Sequence, residues 1–220
     1  MTDRQFQRAR SPEQREARRQ AILGVAGELL AEMPVSEISL RELARRVGLS
    51  KTNVVRYFET REAVFFALLN RTIGEWLDGL DLPAGPPAEV MEALARSLAG
   101  QPRMCDLWSA LGTELERNIT AGAVRDFKLV NGELLQALAG RLRERIPALT
   151  EESARELTSY TVLLIAGLWP FANPSPGVAE AVRDPRLAGS RVDFAERLGR
   201  ALVVAVTGLL TLGSAAPGRS

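Results

Sequence analysis

Lys51, Thr52, Asn53 and Arg56 fall within six residues of one another, and together they carry the groups needed to read double-stranded DNA. A guanidinium can take a guanine edge bidentately, an amide an adenine edge, a threonine a thymine methyl or a phosphate, and an ammonium a phosphate. Ser39, Ser50, Tyr57 and Arg61 flank them with further hydroxyls and charge. An ordinary helical corner with a solvated outer face would use the same residue types, so position decides between the two. Catalytic chemistry has little to work with. The chain contains no histidine, hence no imidazole base and no His-ligated metal, and its one cysteine, Cys105, makes neither a thiolate cage nor an internal disulfide. No phosphate-cradling glycine loop occurs. Glu114 and Glu116, two apart on a helix, would face different ways and make a poor acid/base pair. The sequence therefore predicts no catalytic residues, no metal and no cofactor.

The elements that must position the polar cluster can be read from periodicity. Leu40, Leu43, Ala44 and Val47 stand at i, i+3, i+4 and i+7, one face of a helix. Ser39 before them and Glu42 three residues on form a capping box. Gly48 closes the helix where a left-handed backbone is cheap, and Ser50 caps a second one. On that second helix Val54 and Phe58 share an arc, with Thr52, Asn53 and Arg56 opposite. Ser11, Pro12 and Gln14 open an earlier helix whose apolar face (Ile22, Val25, Ala26, Leu29, Met33) braces the corner. A three-helix reader results, with its polar face turned outward for a major groove. Arg4, Arg8 and Arg10 precede it as a basic arm suited to phosphates or a minor groove, or to solubility alone.

The stretch GLSKTNVVRYFETREAV resembles the signature of the TetR/AcrR family, Gly-Val-Ser-x-Gly-Thr-Leu-Tyr-x-Tyr-Phe-x-Ser-Lys-Glu-x-Leu, with Gly48, Ser50, Val54, Tyr57, Phe58, Glu62 and Val64 in matching places. Thr52, Asn53, Val55, Thr60 and Arg61 depart from it. Three of these lie on the recognition helix, so a relative's operator cannot be transferred. Val55 replaces a tyrosine that commonly meets a phosphate, and the resemblance implies that Arg61 keeps a positive charge against the DNA backbone. Further on, Cys-Asp-Leu (105–107), Leu-Glu-Arg-Asn (115–118), Gly-Leu-Trp-Pro (167–170) and Asn-Pro-Ser-Pro (173–176) match, in order, a pattern of one TetR-like subgroup. The implied fold is all-α: a helix-turn-helix domain over 1–62 and a helical effector-binding and dimerisation domain over 63–220.

Length and charge agree. At 220 residues, 46% hydrophobic, the chain can bury a substantial core. The net charge is +1, but residues 1–62 hold 12 Lys/Arg against 9 Asp/Glu while 63–220 hold 16 against 18, so the basic excess sits with the reader. Beyond the reader the pattern predicts a linking helix to about Leu80, helices over 88–99, 102–118, 121–145 and 151–169, a proline-rich ordered loop over 170–190 and a final helix over 191–212. The apolar run ALVVAVTGLLTL is short for a membrane span of about 20 residues and reads as a buried helix. An N-terminus without a signal peptide places the chain in the cytoplasm with no membrane partner.

In the resembled family the last two helices pair with those of a second copy. Leu157, Val162, Leu164, Ile165, Leu168, Leu198, Leu202, Val206 and Leu209 are the matching candidates for a homodimer interface or adjacent core, and a two-fold dimer would read an inverted repeat with half-sites roughly 34–36 Å apart. The family also implies a small-molecule effector, of identity the sequence does not give, in a mainly apolar cavity. Trp76, Met104, Cys105, Trp108, Leu111, Phe127, Val130, Tyr160 and Trp169 are candidates to line it, though each could equally fill core. Glu114, Glu116, Arg117 and Asn118 could orient a polar ligand or form a solvated turn. The reading is thus an operator-binding repressor released by a small, mainly hydrophobic effector, and the alternative is a helical protein-interaction module or ligand-binding protein that has lost DNA binding.

Overall fold

The computed structural model describes residues 11–117 and 119–215. The basic arm at Arg4, Arg8 and Arg10, and Asn118, lie outside them. Among the described residues there are helices and turns and no strand: α1 (Pro12–Glu32), α2 (Leu40–Val47), α3 (Lys51–Val55), α4 (Arg61–Asp78), α5 (Pro87–Ala99), α6 (Pro102–Leu111), α7 (Ala121–Arg145), α8 (Glu151–Ala172), α9 (Pro176–Ala181) and α10 (Phe194–Ala215), with 3₁₀ turns at Val35–Glu37, Leu115–Arg117 and Pro185–Ser190.

Capping side chains start most of the reader's helices. The hydroxyls of Ser11, Ser39, Ser50 and Thr60 accept from the backbone N–H of Gln14, Glu42, Asn53 and Ala63 at 3.2, 3.1, 3.2 and 3.1 Å. Only half of the capping box at α2 forms, because the Glu42 carboxylate is taken by Arg45. Gly48 has φ 71°, ψ 31° and ends α2 by donating to Ala44 and Arg45 carbonyls, the left-handed closure that glycine alone adopts without cost. Leu29, Leu43, Val54 and Phe58 are buried where α1, α2 and α3 meet.

α4 joins this unit to the rest. Val64, Phe65, Leu68, Leu69 and Ile73 are buried along it, and it packs on α1 on one side and α7 on the other. Behind it, α10 lies chiefly on α5 and then on α8, while α8 also meets α6 and α7. Leu94, Leu98, Leu157, Ile165, Leu198, Leu202 and Val206 fill the space between them.

Two stretches differ from the sequence expectation. The helix expected over 102–118 ends at Leu111, and a turn at Gly112–Glu114 feeds the Leu115–Arg117 3₁₀ turn. The loop expected over 170–190 is largely helical: α8 runs on through Pro170 to Ala172, followed by α9. Proline in a last turn removes one backbone bond from a helix that is about to stop, and the Asn173 N–H returns to Trp169 O at 2.9 Å. Among the described residues no helix is long and apolar enough to cross a membrane.

Candidate nucleic-acid interface

The corner of α2 and α3 presents the polar cluster as its buried side dictates. Val54 and Phe58 point into the core, which turns Lys51, Thr52, Asn53 and Arg56 to solvent. α3 is only five residues long, so its two ends matter. Ser50 holds the start through the Asn53 N–H, and the Ser39 hydroxyl does the same for α2. Both serines remain exposed, but their hydroxyls serve the helix ends.

The other end of α3 is held by a residue that periodicity did not single out. Arg19 of α1 donates from Nη1 to the Tyr57 carbonyl at 3.1 Å and lies 4.2 Å over the Phe58 ring. The turn that follows α3 is therefore pinned by charge-assisted hydrogen bonding and cation–π contact together. Tyr57 is half-buried beside it. Arg41 on α2 is also exposed on the corner, where a guanidinium can reach a phosphate. Its neighbours are committed elsewhere: Arg45 to Glu42 at 2.5 Å and Arg46 to Glu32 at 2.5 Å, pairs that hold both carboxyls below their ordinary range.

Arg61 corrects the expectation that it faces the DNA backbone. Its side chain folds inward: Nη2 donates to Val35 O at 2.5 Å and to Glu114 Oε1 at 2.7 Å, and Nη1 to Glu62 Oε1 at 3.3 Å. The guanidinium also sits 5.5 Å from the centre of the Phe65 ring, and its Nε is buried without an acceptor. At the first turn of α4 the positive end of the helix repels a cation, and two carboxylates offset that. What the family signature marks as a backbone contact is here a tie between the reader and the Glu114 turn.

The candidate effector residues are spread over α4, α6, α7 and α8. Trp76 is buried and donates from Nε1 to Ser97 Oγ at 2.9 Å. Met104, Cys105 and Trp108 are buried on α6, Leu111 is half-buried, and the Cys105 thiol, whose pKa burial pushes up to about 12, reaches Leu98 O at 3.5 Å. Trp169 donates to Asp106 Oδ1 at 2.6 Å and packs edge-on to Phe194 at 4.8 Å. Phe127 stacks on Phe66 at 4.3 Å, and Val130 is exposed further along α7. Tyr160 is a correction: it is exposed on α8, its hydroxyl on Glu156. The buried stripe of α8 (Leu157, Thr161, Ile165) is centred about 100° around the helix from it. Of the polar candidates, Glu114 holds Arg61, Glu116 pairs with Lys128 at 3.1 Å, and Arg117 is exposed.

The interface candidates split as well. Leu157, Ile165, Leu198, Leu202, Val206 and Leu209 are buried in the protomer's own core, and Val162, Leu164 and Leu168 are half-buried. Leu163, Phe171, Val204 and Leu212 are instead 67, 71, 68 and 71% exposed on the outer sides of α8 and α10. The later parts of both helices, 162–172 and 201–212, are apolar nearly all round, so composition does not mark which stripe faces inward.

Comparison with known proteins agrees with this architecture. The family model for bacterial regulatory proteins of the tetR family matches residues 22–68, and that for the tetracyclin repressor-like C-terminal domain matches residues 70–212. The HTH-type transcriptional regulator EthR of Mycobacterium tuberculosis (strain ATCC 25618 / H37Rv) is 36% identical over 69 residues, 31% of this chain, which thus spans about a third (32%) of that relative's length. EthR of Mycolicibacterium smegmatis is 27% identical over 184 residues, covering 74% of this chain and 78% of the relative. A TetR transcriptional regulator from Rhodococcus sp. RHA1 shares the fold, with TM-score 0.59 at 20% identity over 88% of this chain and 97% of that one. The chain belongs to the tetR family of bacterial regulatory proteins, the helix-turn-helix class of DNA-binding transcriptional regulators.

Proposed function

We propose that the protein is a sequence-specific operator-binding repressor that acts as a homodimer and is released by a small, mainly hydrophobic effector. The observation that carries the DNA-binding part is the capped, five-residue α3, with Val54 buried beneath it and Lys51, Thr52, Asn53 and Arg56 in solvent. An interaction module that had lost DNA binding would not need that face. Residues 1–62 form the reader and 63–220 the sensor, with α4 linking them. Regulators of this family bind operators and small-molecule effectors and are dimeric, which supports a two-fold reading of an inverted repeat by this chain.

Release follows from linkage. An effector that prefers the state with wrongly spaced α3 helices lowers operator affinity by its differential affinity for the two states, and DNA must weaken effector binding by the same factor. Selection of binding sites from random duplex DNA with the purified protein, at one fixed salt concentration, tests the reading. Enrichment of an inverted repeat is expected, and no enrichment by well-folded protein would overturn it.

A further inference from the structure

Arg61 stands where three parts of the chain meet. Its Nη2 donates to Val35 O, in the turn that follows α1, at 2.5 Å and to Glu114 Oε1 at 2.7 Å, while Nη1 donates to Glu62 of its own helix at 3.3 Å. Val35 and Glu62 belong to the reader, and Glu114 alone of the three comes from the sensor. The side chains of the Arg61–Glu114 pair are 19 and 31% exposed, so water and salt screen it less than a surface pair. Glu114 is itself held in place, because it precedes the Leu115–Arg117 turn, whose Leu115 is buried where that turn packs on α4 and α6.

A second contact from the sensor reaches the same part of the reader. Thr120, the N-cap of α7, donates from Oγ1 to the Glu59 carboxylate at 3.1 Å and accepts from the Ala123 N–H at 3.3 Å. In sequence, Glu59 and Arg61 flank Thr60, whose hydroxyl starts α4. The few residues between the end of α3 at Val55 and the start of α4 at Arg61 are thus tied to the sensor at two points, once by an ion pair and once by a hydroxyl. So short a connection has little slack, and a shift of Arg61 passes to the recognition helix.

A two-fold dimer reads two half-sites at once, and one base pair more between them moves the second half-site by about 3.4 Å and rotates it by roughly 34–36°. Tolerance of that change depends on how freely each reader turns on its sensor. We propose that Glu114 is a positioning residue that fixes this angle through Arg61, and so sets the half-site spacing that the dimer accepts. Its effect is on register and not on the contacts that each α3 makes with its own half-site. The inference rests on the dimeric, operator-binding reading above.

The test uses the full chain with the inverted repeat enriched by selection, copies of it lengthened or shortened at the centre by one base pair, and a single half-site. The measured quantity is the ratio of affinities for the native and altered spacings, from which any general effect of removing a negative charge cancels. Glu114→Ala is expected to lower that ratio about fivefold, with single-half-site affinity unchanged, and Glu114→Gln, which keeps an acceptor for Arg61, to lower it about twofold. Glu116→Ala is the control. It removes the same charge from the same turn, but its partner is Lys128 of α7 at 3.1 Å, so the ratio should keep its wild-type value. Adding Glu114→Ala to Arg61→Ala should change the ratio no further, since the two act as one tie. Thermal melting verifies folding, and if Glu114→Ala fails to fold, Glu114→Gln carries the test. An unchanged ratio in the Glu114 variants, an equal fall in Glu116→Ala, an additional fall on top of Arg61→Ala, or a wild type that binds all spacings alike would overturn the proposal. A wild type that binds no selected DNA is a separate result and would sink the regulator reading itself.

Discussion

At the scale of single residues, position decides which of the reader's cations meets DNA. Arg56 and Lys51 are exposed on the recognition face. If Arg56 reads a base, Arg56→Ala costs about 1–3 kcal/mol and relaxes preference at one operator position, whereas Lys51→Ala weakens all sequences alike and reduces the salt slope by about one. Arg61 is spent on Val35, Glu62 and Glu114. Arg61→Ala should therefore lower the melting temperature, by stranding a carbonyl and two partly buried carboxylates, and leave the salt slope of operator binding unchanged. A slope reduced by one would mean that Arg61 does reach a phosphate. Cys105 gives a pH test. Its folded pKa of about 12 lies above the value of 9.0 for an unperturbed thiol, so the protonated form is favoured by folding. The stability this contributes is complete below about pH 9 and lost as pH rises toward 12. Native protein should resist thiol reagents at pH 8 and react once unfolded, and Cys105→Ala should flatten the alkaline side of the stability profile.

Among the elements, the α2–α3 corner was the most legible in the sequence, because its signals are local. Ser39, Gly48 and Ser50 sit where capping and left-handed closure require them, and Leu43 and Val54 mark the buried sides. Gly48→Ala would force a Cβ into φ 71°, costing about 1–2 kcal/mol. Operator affinity should fall more than thermal stability does, since α3 is the element displaced; equal loss in an unrelated helix-end variant would remove that distinction. Less legible was everything set by long-range partners. Nothing local marks Arg19 as the brace of Tyr57, 38 residues away, or Glu114 as the acceptor for Arg61, 53 residues away. The end of α6 at Leu111 and the passage of α8 through Pro170 were missed for a similar reason: a helix end is settled by what the next segment packs against. Of the aromatic candidates beyond the reader, Trp76, Trp108, Phe127 and Trp169 are interior and Tyr160 is not, and whether an interior tryptophan lines a cavity or fills one depends on neighbours that composition does not reveal.

For the whole molecule, the decisive surface is the one that the protomer leaves uncovered. α8 and α10 pack side by side, and their inward stripes are consumed by the protomer's own core, yet Leu163, Phe171, Val204 and Leu212 remain about two-thirds or more exposed on the outer sides. Large apolar side chains left exposed on two neighbouring helices suit an interface, and a two-fold axis through this face would pair the same two helices of each copy. Of the residues that the sequence offered as interface or adjacent core, Leu157, Ile165, Leu198, Leu202 and Val206 are core, fully buried within one chain. Leu163→Glu together with Val204→Glu should therefore give a folded monomer by sedimentation at micromolar concentration, with helical content unchanged, because neither side chain supports the protomer core. Operator affinity should collapse with it. Two half-sites read by one rigid dimer gain from effective concentration what two independent readers lack, so the monomer should keep only weak, salt-sensitive binding to a single half-site. A wild-type protein that is strictly monomeric under the same conditions would overturn the two-fold reading, whereas a double variant that stays dimeric would move the interface to another face and leave the operator symmetry intact.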